Sequence, residues 1–110
     1  MKTKVLSLLV LFMLGVFTVV AADKTEKFEV KGGDCDECKV HVQQAALSVE
    51  GVSKADWNKE TKQLEVVFDD TVTNLENIEI AVAKAGHDTP NYKTTQEAFD
   101  ALPECCKYER

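Results

Sequence analysis

An α+β fold, with one antiparallel sheet covered on a single face by two helices, follows from three features of the sequence. Three short stretches, "KFEVKG", "VSKADWN" and "QLEVVF", alternate apolar with polar residues at the two-residue period of half-buried strands. Two longer stretches repeat apolar residues along one helical face. Gly32-Gly33, Gly51 and Gly86 punctuate the chain between them, giving the order strand, helix, strand, strand, helix, strand.

The first 22 residues stand apart from this pattern. Lys2 and Lys4 form a basic start, and Val5 to Val20 carries no charge. Val20-Ala21-Ala22 then offers the small residues a signal peptidase needs, just before the polar "DKTEK". A cleaved export signal is therefore expected over 1–22. An uncleaved anchor fits less well, because the run is short for a span and lacks a basic flank on its far side. What remains, Asp23 to Arg110, is 88 residues, enough for one domain with a modest core.

In the first strand Phe28 and Val30 alternate with Glu29 and Lys31. Asp34 stands three residues before Glu37, the spacing of a capping box, and opens a helix with Cys38, Val42, Ala45, Ala46 and Val49 on one face. Gly51 ends it. Ala55 and Trp57 share a face of the second strand, "KETK" is a polar turn, and Leu64, Val66 and Phe68 point inward from the third. Thr73 and Glu76 repeat the capping spacing before a second helix striped by Leu75, Ile78, Val82 and Ala85. Gly86 stops that helix, and "HDTPNY" is expected as a short fourth strand cut off by Pro90. This βαββαβ order is the split arrangement of ferredoxin-like domains. Beyond it, Thr94 and Glu97 are spaced to cap a third short helix in "TTQEAFDAL", before Pro103 and an aperiodic tail, "PECCKYER". The chain thus divides into a signal (1–22), a domain (23–92) and a C-terminal helical extension (93–110).

Without Lys2 and Lys4, 11 basic residues face 19 acidic ones, a net charge near −8. Such a surface repels nucleic acid and attracts cations. No catalytic base, nucleophile triad or phosphate loop is visible, which suits a carrier and not an enzyme.

The chemistry lies in "GGDCDEC". Cys35 and Cys38 fall where the first strand hands over to the first helix, and unpaired backbone N–H groups there favour thiolate over thiol. Thiolates are the ligands that Cu(I), Hg(II) and Zn(II) prefer. The same spacing also serves a disulfide or a dithiol redox couple.

Phe28 to Thr89 resembles the heavy-metal-associated domain, the module of copper chaperones and of the N-terminal arms of metal-pumping P-type ATPases. Where that family carries Gly-Met-Thr-Cys-x-x-Cys, this chain reads Gly32-Gly33-Asp34-Cys35-Asp36-Glu37-Cys38. Gly51-Val52 follows the first helix as in the family, and "AVAKAGHD" stands at its Ala-Gly-Tyr end of the second helix. With an export signal, the resemblance points toward periplasmic mercuric-ion-binding proteins. It implies a metal carrier, periplasmic or secreted, that acts as a monomer off the membrane. Its cargo would be Cu(I) ahead of Zn(II), with Hg(II) a further candidate, passed to a metal-transporting membrane ATPase or other metal-acceptor protein.

Three departures from the family matter. Gly33 replaces a core methionine, so a more mobile loop is expected. Asp34 replaces threonine; it could ligate a divalent ion, cap the first helix, or do both. His87 replaces a tyrosine beside the metal loop and could complete a tetrahedral set with Cys35, Cys38 and Asp34, or be a solvent-exposed loop residue. His41 is expected on the helix surface. Cys105 and Cys106 match nothing in the family; they could add thiolates over the loop, bind a second ion, pair with Cys35 or Cys38, or belong to a flexible tail. Phe99, Leu102 and Tyr108 supply apolar surface to dock that tail. A thiol redox protein and a disulfide-stabilised structural module remain alternatives to the carrier.

Overall fold

Residues 23–110 are described by the computed structural model; the export signal expected over 1–22 lies outside them. The alternating stretches form an antiparallel sheet of β1 (Asp23–Glu29), β2 (Val52–Trp57) and β3 (Gln63–Asp69), in the order β1-β3-β2. The middle strand is the one whose every second residue, Leu64, Val66 and Phe68, is buried. Its register runs from Asp23 opposite Asp69 to Glu29 opposite Gln63 on one side, and from Val52 opposite Phe68 to Trp57 opposite Leu64 on the other.

Two helices, α1 (Asp36–Leu47) and α2 (Leu75–Lys84), close the inner face. Cys38, Val42 and Ala46 of α1 and Ile78 and Val82 of α2 form one cluster with Phe28, Val30, Trp57 and the β3 side chains. Burying a side chain of this size contributes about 1.5–3 kcal/mol over leaving it exposed. Ala45, Val49, Leu75 and Ala85, expected on the same stripes, are only partly covered; Val49 lies past the end of α1 and Ala85 is the C-cap of α2. The architecture is α+β and ferredoxin-like, as the element order implies.

Each helix starts one residue later than the capping spacing implies. Cys35, not Asp34, is the N-cap of α1 and makes no side-chain capping bond. At α2 the cap is Asn74, whose Oδ1 accepts from the Asn77 N–H at 2.8 Å. The third helix is shorter than expected, α3 (Gln96–Asp100), and is capped by Thr95 accepting from Ala98 N–H at 3.1 Å. At α2 and α3 the neighbouring residue offers the same i, i+3 side-chain geometry.

"HDTPNY" does not form a fourth strand; among the described residues the sheet has three. Lys31 N–H donates to the Asp88 carbonyl at 3.0 Å, which starts a ladder beside the end of β1. It goes no further. Thr89 and Tyr92 bond each other across a turn (Thr89 N–H to Tyr92 O, 2.9 Å), and Pro90 has no N–H to extend the pairing.

From Thr94 the extension returns across the domain. Leu102 is buried in the main core, with Phe99 and Tyr108 packed against it, so the expected docking residues are the ones that dock. Tyr108 Oη donates to the Gly86 carbonyl and accepts from the Asp88 N–H, both at 2.9 Å. Arg110 reaches buried Asp88 (Nε to Oδ2, 3.3 Å) and the Thr94 carbonyl (2.8 Å). A short 3₁₀ turn, Glu104–Cys106, is thereby set over the loop between β1 and α1.

Candidate metal centre

The loop that carries the first two cysteines is held from below. Trp57, fully buried, donates its indole N–H to the Val30 carbonyl at 3.1 Å. His87 Nδ1 lies 2.8 Å from the Lys31 carbonyl, and since a carbonyl can only accept, Nδ1 carries a proton. His87 Nε2 then faces His41 Nδ1 at 2.9 Å. With Nδ1 of neutral His87 protonated, Nε2 is the acceptor and His41 the donor. Burial pushes the His87 pKa down from 6.5 to about 4, against the opposing pull of the Lys31 carbonyl. Of the two readings of His87, the solvent-exposed one is excluded because the residue is buried; His41, expected on the surface, is half-covered against it. Ligation by His87 through Nε2 requires release of the His41 bond.

Asp34 points the other way. Its carboxylate accepts from Lys62 Nζ at 2.8 Å on the exposed side of the loop, and that bond and charge hold its pKa below the usual aspartate value. Lys62 also reaches the Gly33 carbonyl at 3.4 Å.

Above the loop lies the tail. Cys35 is bonded to Cys105 and Cys38 to Cys106, with Cα–Cα distances of 5.9 and 5.2 Å. The two bridges are crowded together. Cys35 Sγ is 3.0 Å from Cys38 Sγ and 3.8 Å from Cys106 Sγ, and all four sulfurs lie within 4.8 Å of one another. Cys38 and Cys106 are fully buried, Cys35 is half-buried and Cys105 is exposed, so solvent approaches from the Cys35–Cys105 side. The bridges span 70 and 68 residues; in the chain-entropy view the first to close contributes about 4 kcal/mol.

Gly33 explains how the tail comes so close. Its N–H donates to the Cys106 carbonyl at 3.0 Å. A Cβ there would overlap the Cys105 carbonyl oxygen and sit 2.8 Å from its carbon and 3.0 Å from Cys106 Cα. The bare glycine lets a second segment of backbone lie on the loop, and the residue is buried.

The model of the heavy-metal-associated domain matches residues 27–88, more than half of the chain, including the cysteine loop just described. The chain belongs to the heavy-metal-associated domain family. It is 42% identical over 72 residues to the mercuric transport protein periplasmic component of Pseudomonas aeruginosa, a match covering 66% of this chain and 79% of that protein. Among solved structures it resembles oxidized MerP from Ralstonia metallidurans CH34 (40% identity, TM-score 0.58, 62% of this chain and 94% of that one). It also resembles the CopZ metallochaperone (32% identity, TM-score 0.58, 60% and 98%). The family is one of metal-binding domains, not enzymes. Its match ends at residue 88, so the tail that brings Cys105 and Cys106 onto the heavy-metal-associated domain lies beyond it.

Proposed function

We propose that the protein is an exported carrier of a soft heavy-metal cation, held on Cys35 and Cys38 and passed on by thiolate exchange. One observation carries the reading: the two loop sulfurs sit 3.0 Å apart at the start of α1, in a chain of this family. Relatives named for mercuric transport, and a similar solved copper binding domain of a P-type ATPase, favour Hg(II) or Cu(I) as cargo; nothing comparable favours the Zn(II) that Asp34 and His87 suggest. Export through the 1–22 segment to the periplasm, or out of the cell, accords with relatives described as periplasmic components. The acceptor is then a metal-transporting membrane protein.

The two bridges describe the oxidised, metal-free form. A dithiol reductant opens each one, taking up the bridge as its own disulfide and leaving two cysteine thiols. A redox couple between Cys35 and Cys38 gains no support, because each is bonded to the tail and not to the other. Competition titration of the anaerobically reduced protein tests the carrier. One Hg(II) or Cu(I) per chain is expected, with high-affinity binding lost in the Cys35→Ser/Cys38→Ser variant; undiminished binding in that variant overturns the reading.

A further inference from the structure

We propose that Cys105 and Cys106 join Cys35 and Cys38 in a single four-thiolate site, which fits the protein for a soft divalent cation in tetrahedral coordination. The proposal deepens the carrier reading and rests on it. A tetrahedral thiolate site with metal–sulfur bonds of about 2.3 Å has sulfur–sulfur edges of about 3.8 Å. The present separations bracket that value: Cys35 to Cys106 is 3.8 Å, Cys35 to Cys38 is 3.0 Å, and none exceeds 4.8 Å. The two bonded edges must open, which is what reduction does, and the Cys35–Cys38 edge must lengthen by roughly 0.8 Å to reach the tetrahedral value.

The tail does not depend on the bridges to stay in place. Leu102 in the core, the two bonds of Tyr108 Oη, Arg110 on Asp88, and the Gly33–Cys106 backbone bond all hold the tail without involving a sulfur. Reduction therefore leaves four thiols facing one point instead of releasing a free tail. The balance is simple. Two dithiol reductants convert the two bridges to four thiols, and a divalent cation then displaces four protons to give a tetrathiolate of net charge −2. Cys38 and Cys106 hold the buried side of the ion, while exposed Cys105 is the sulfur an acceptor's thiolate can replace first.

Co(II) and Cd(II), added to the reduced full-length protein, are the probes. Co(II) is expected to give the intense visible ligand-field bands of a tetrahedral tetrathiolate. Cys105→Ser removes an exposed sulfur without opening the core, and should shift those bands to shorter wavelength as oxygen replaces one thiolate. Cys105→Ser/Cys106→Ser should weaken Cd(II) by about 100-fold or more, beyond the 10–100-fold typical of losing an outer-shell partner. Hg(II) should still bind that variant at one ion per chain through Cys35 and Cys38. Gly33→Met, which displaces the tail and keeps every sulfur, should also lose the tetrathiolate bands. If the wild-type Co(II) spectrum persists in all three variants, the tail sulfurs are not ligands and the proposal falls, with the carrier intact. Loss of one-equivalent Hg(II) binding in the Cys105→Ser/Cys106→Ser variant instead overturns the carrier reading, in which Cys35 and Cys38 suffice. That reading also fails if Hg(II) binds undiminished after Cys35→Ser/Cys38→Ser.

Discussion

Gly33→Ala is expected to change sign with the presence of the tail. In the full chain the added methyl meets the Cys105 carbonyl group and Cys106 Cα, and the Gly33 N–H to Cys106 carbonyl bond at 3.0 Å cannot survive the displacement. Stranding a buried donor costs about 1–3 kcal/mol, and overpacking a closed contact costs a similar amount. Against this, Gly→Ala gains about 0.4–1 kcal/mol by restricting the unfolded chain. That gain is available here because Gly33, unlike Gly51 and Gly86, does not have a positive φ. The full chain should lose about 1–2 kcal/mol or more, and its thermal midpoint should fall by roughly 5–15 °C at 4–8 °C per kcal/mol. A chain ending at Leu102 should instead show no change or a small gain from the same substitution. Far-UV circular dichroism melts of the four proteins, at one concentration and pH, measure both effects. Equal shifts of the same sign in the long and short chains would refute the idea that tail contact determines the residue at position 33.

Three further outcomes are expected. Tyr108→Phe removes the hydroxyl that serves both Gly86 and Asp88, and should destabilise the domain by about 1–3 kcal/mol in a urea or thermal melt; an unchanged midpoint contradicts those bonds. His87 has a folded pKa near 4 against 6.5 unfolded, so its stabilisation is complete above pH 6.5 and is lost as pH falls toward 4. The loss, on the order of 3 kcal/mol, should appear in melts across that window and be absent in His87→Gln; His41, Asp88 and Tyr108, which also face the ring, remain in both proteins. Asp34→Asn should leave divalent-metal affinity unchanged in competition titrations, because its carboxylate is held by Lys62; a tenfold drop shows that it turns inward to ligate.

The frame of the domain is legible because its signals are local. Alternation at Leu64, Val66 and Phe68, the helical stripe at Cys38, Val42 and Ala46, and the glycine just past the end of α2, Gly86, can all be read without knowing a neighbour. Caps are legible only to within a residue, since Thr73 and Asn74, or Thr94 and Thr95, both satisfy the spacing. The fourth strand misleads because its place in the element order says nothing of the Thr89–Tyr92 turn that uses up its hydrogen bonds. What lies furthest from reach is tertiary. Adjacent cysteines in a tail announce chemistry but not partners, as four thiols allow three pairings. Gly33 reads as a loosened loop until a carbonyl from position 105 is found against it. His41 and His87 are 46 residues apart, and their pairing follows from helix packing alone.

The most direct measurement is protection of individual thiols from alkylation. The anaerobically reduced protein, given one equivalent of Hg(II), is exposed to iodoacetamide, and each cysteine is scored by peptide mass. Cys35, the half-buried loop thiol, is expected to resist modification with the metal and to react without it, while buried Cys38 reacts slowly in both. Modification of Cys35 at the same rate in either condition would contradict a metal centre on the loop.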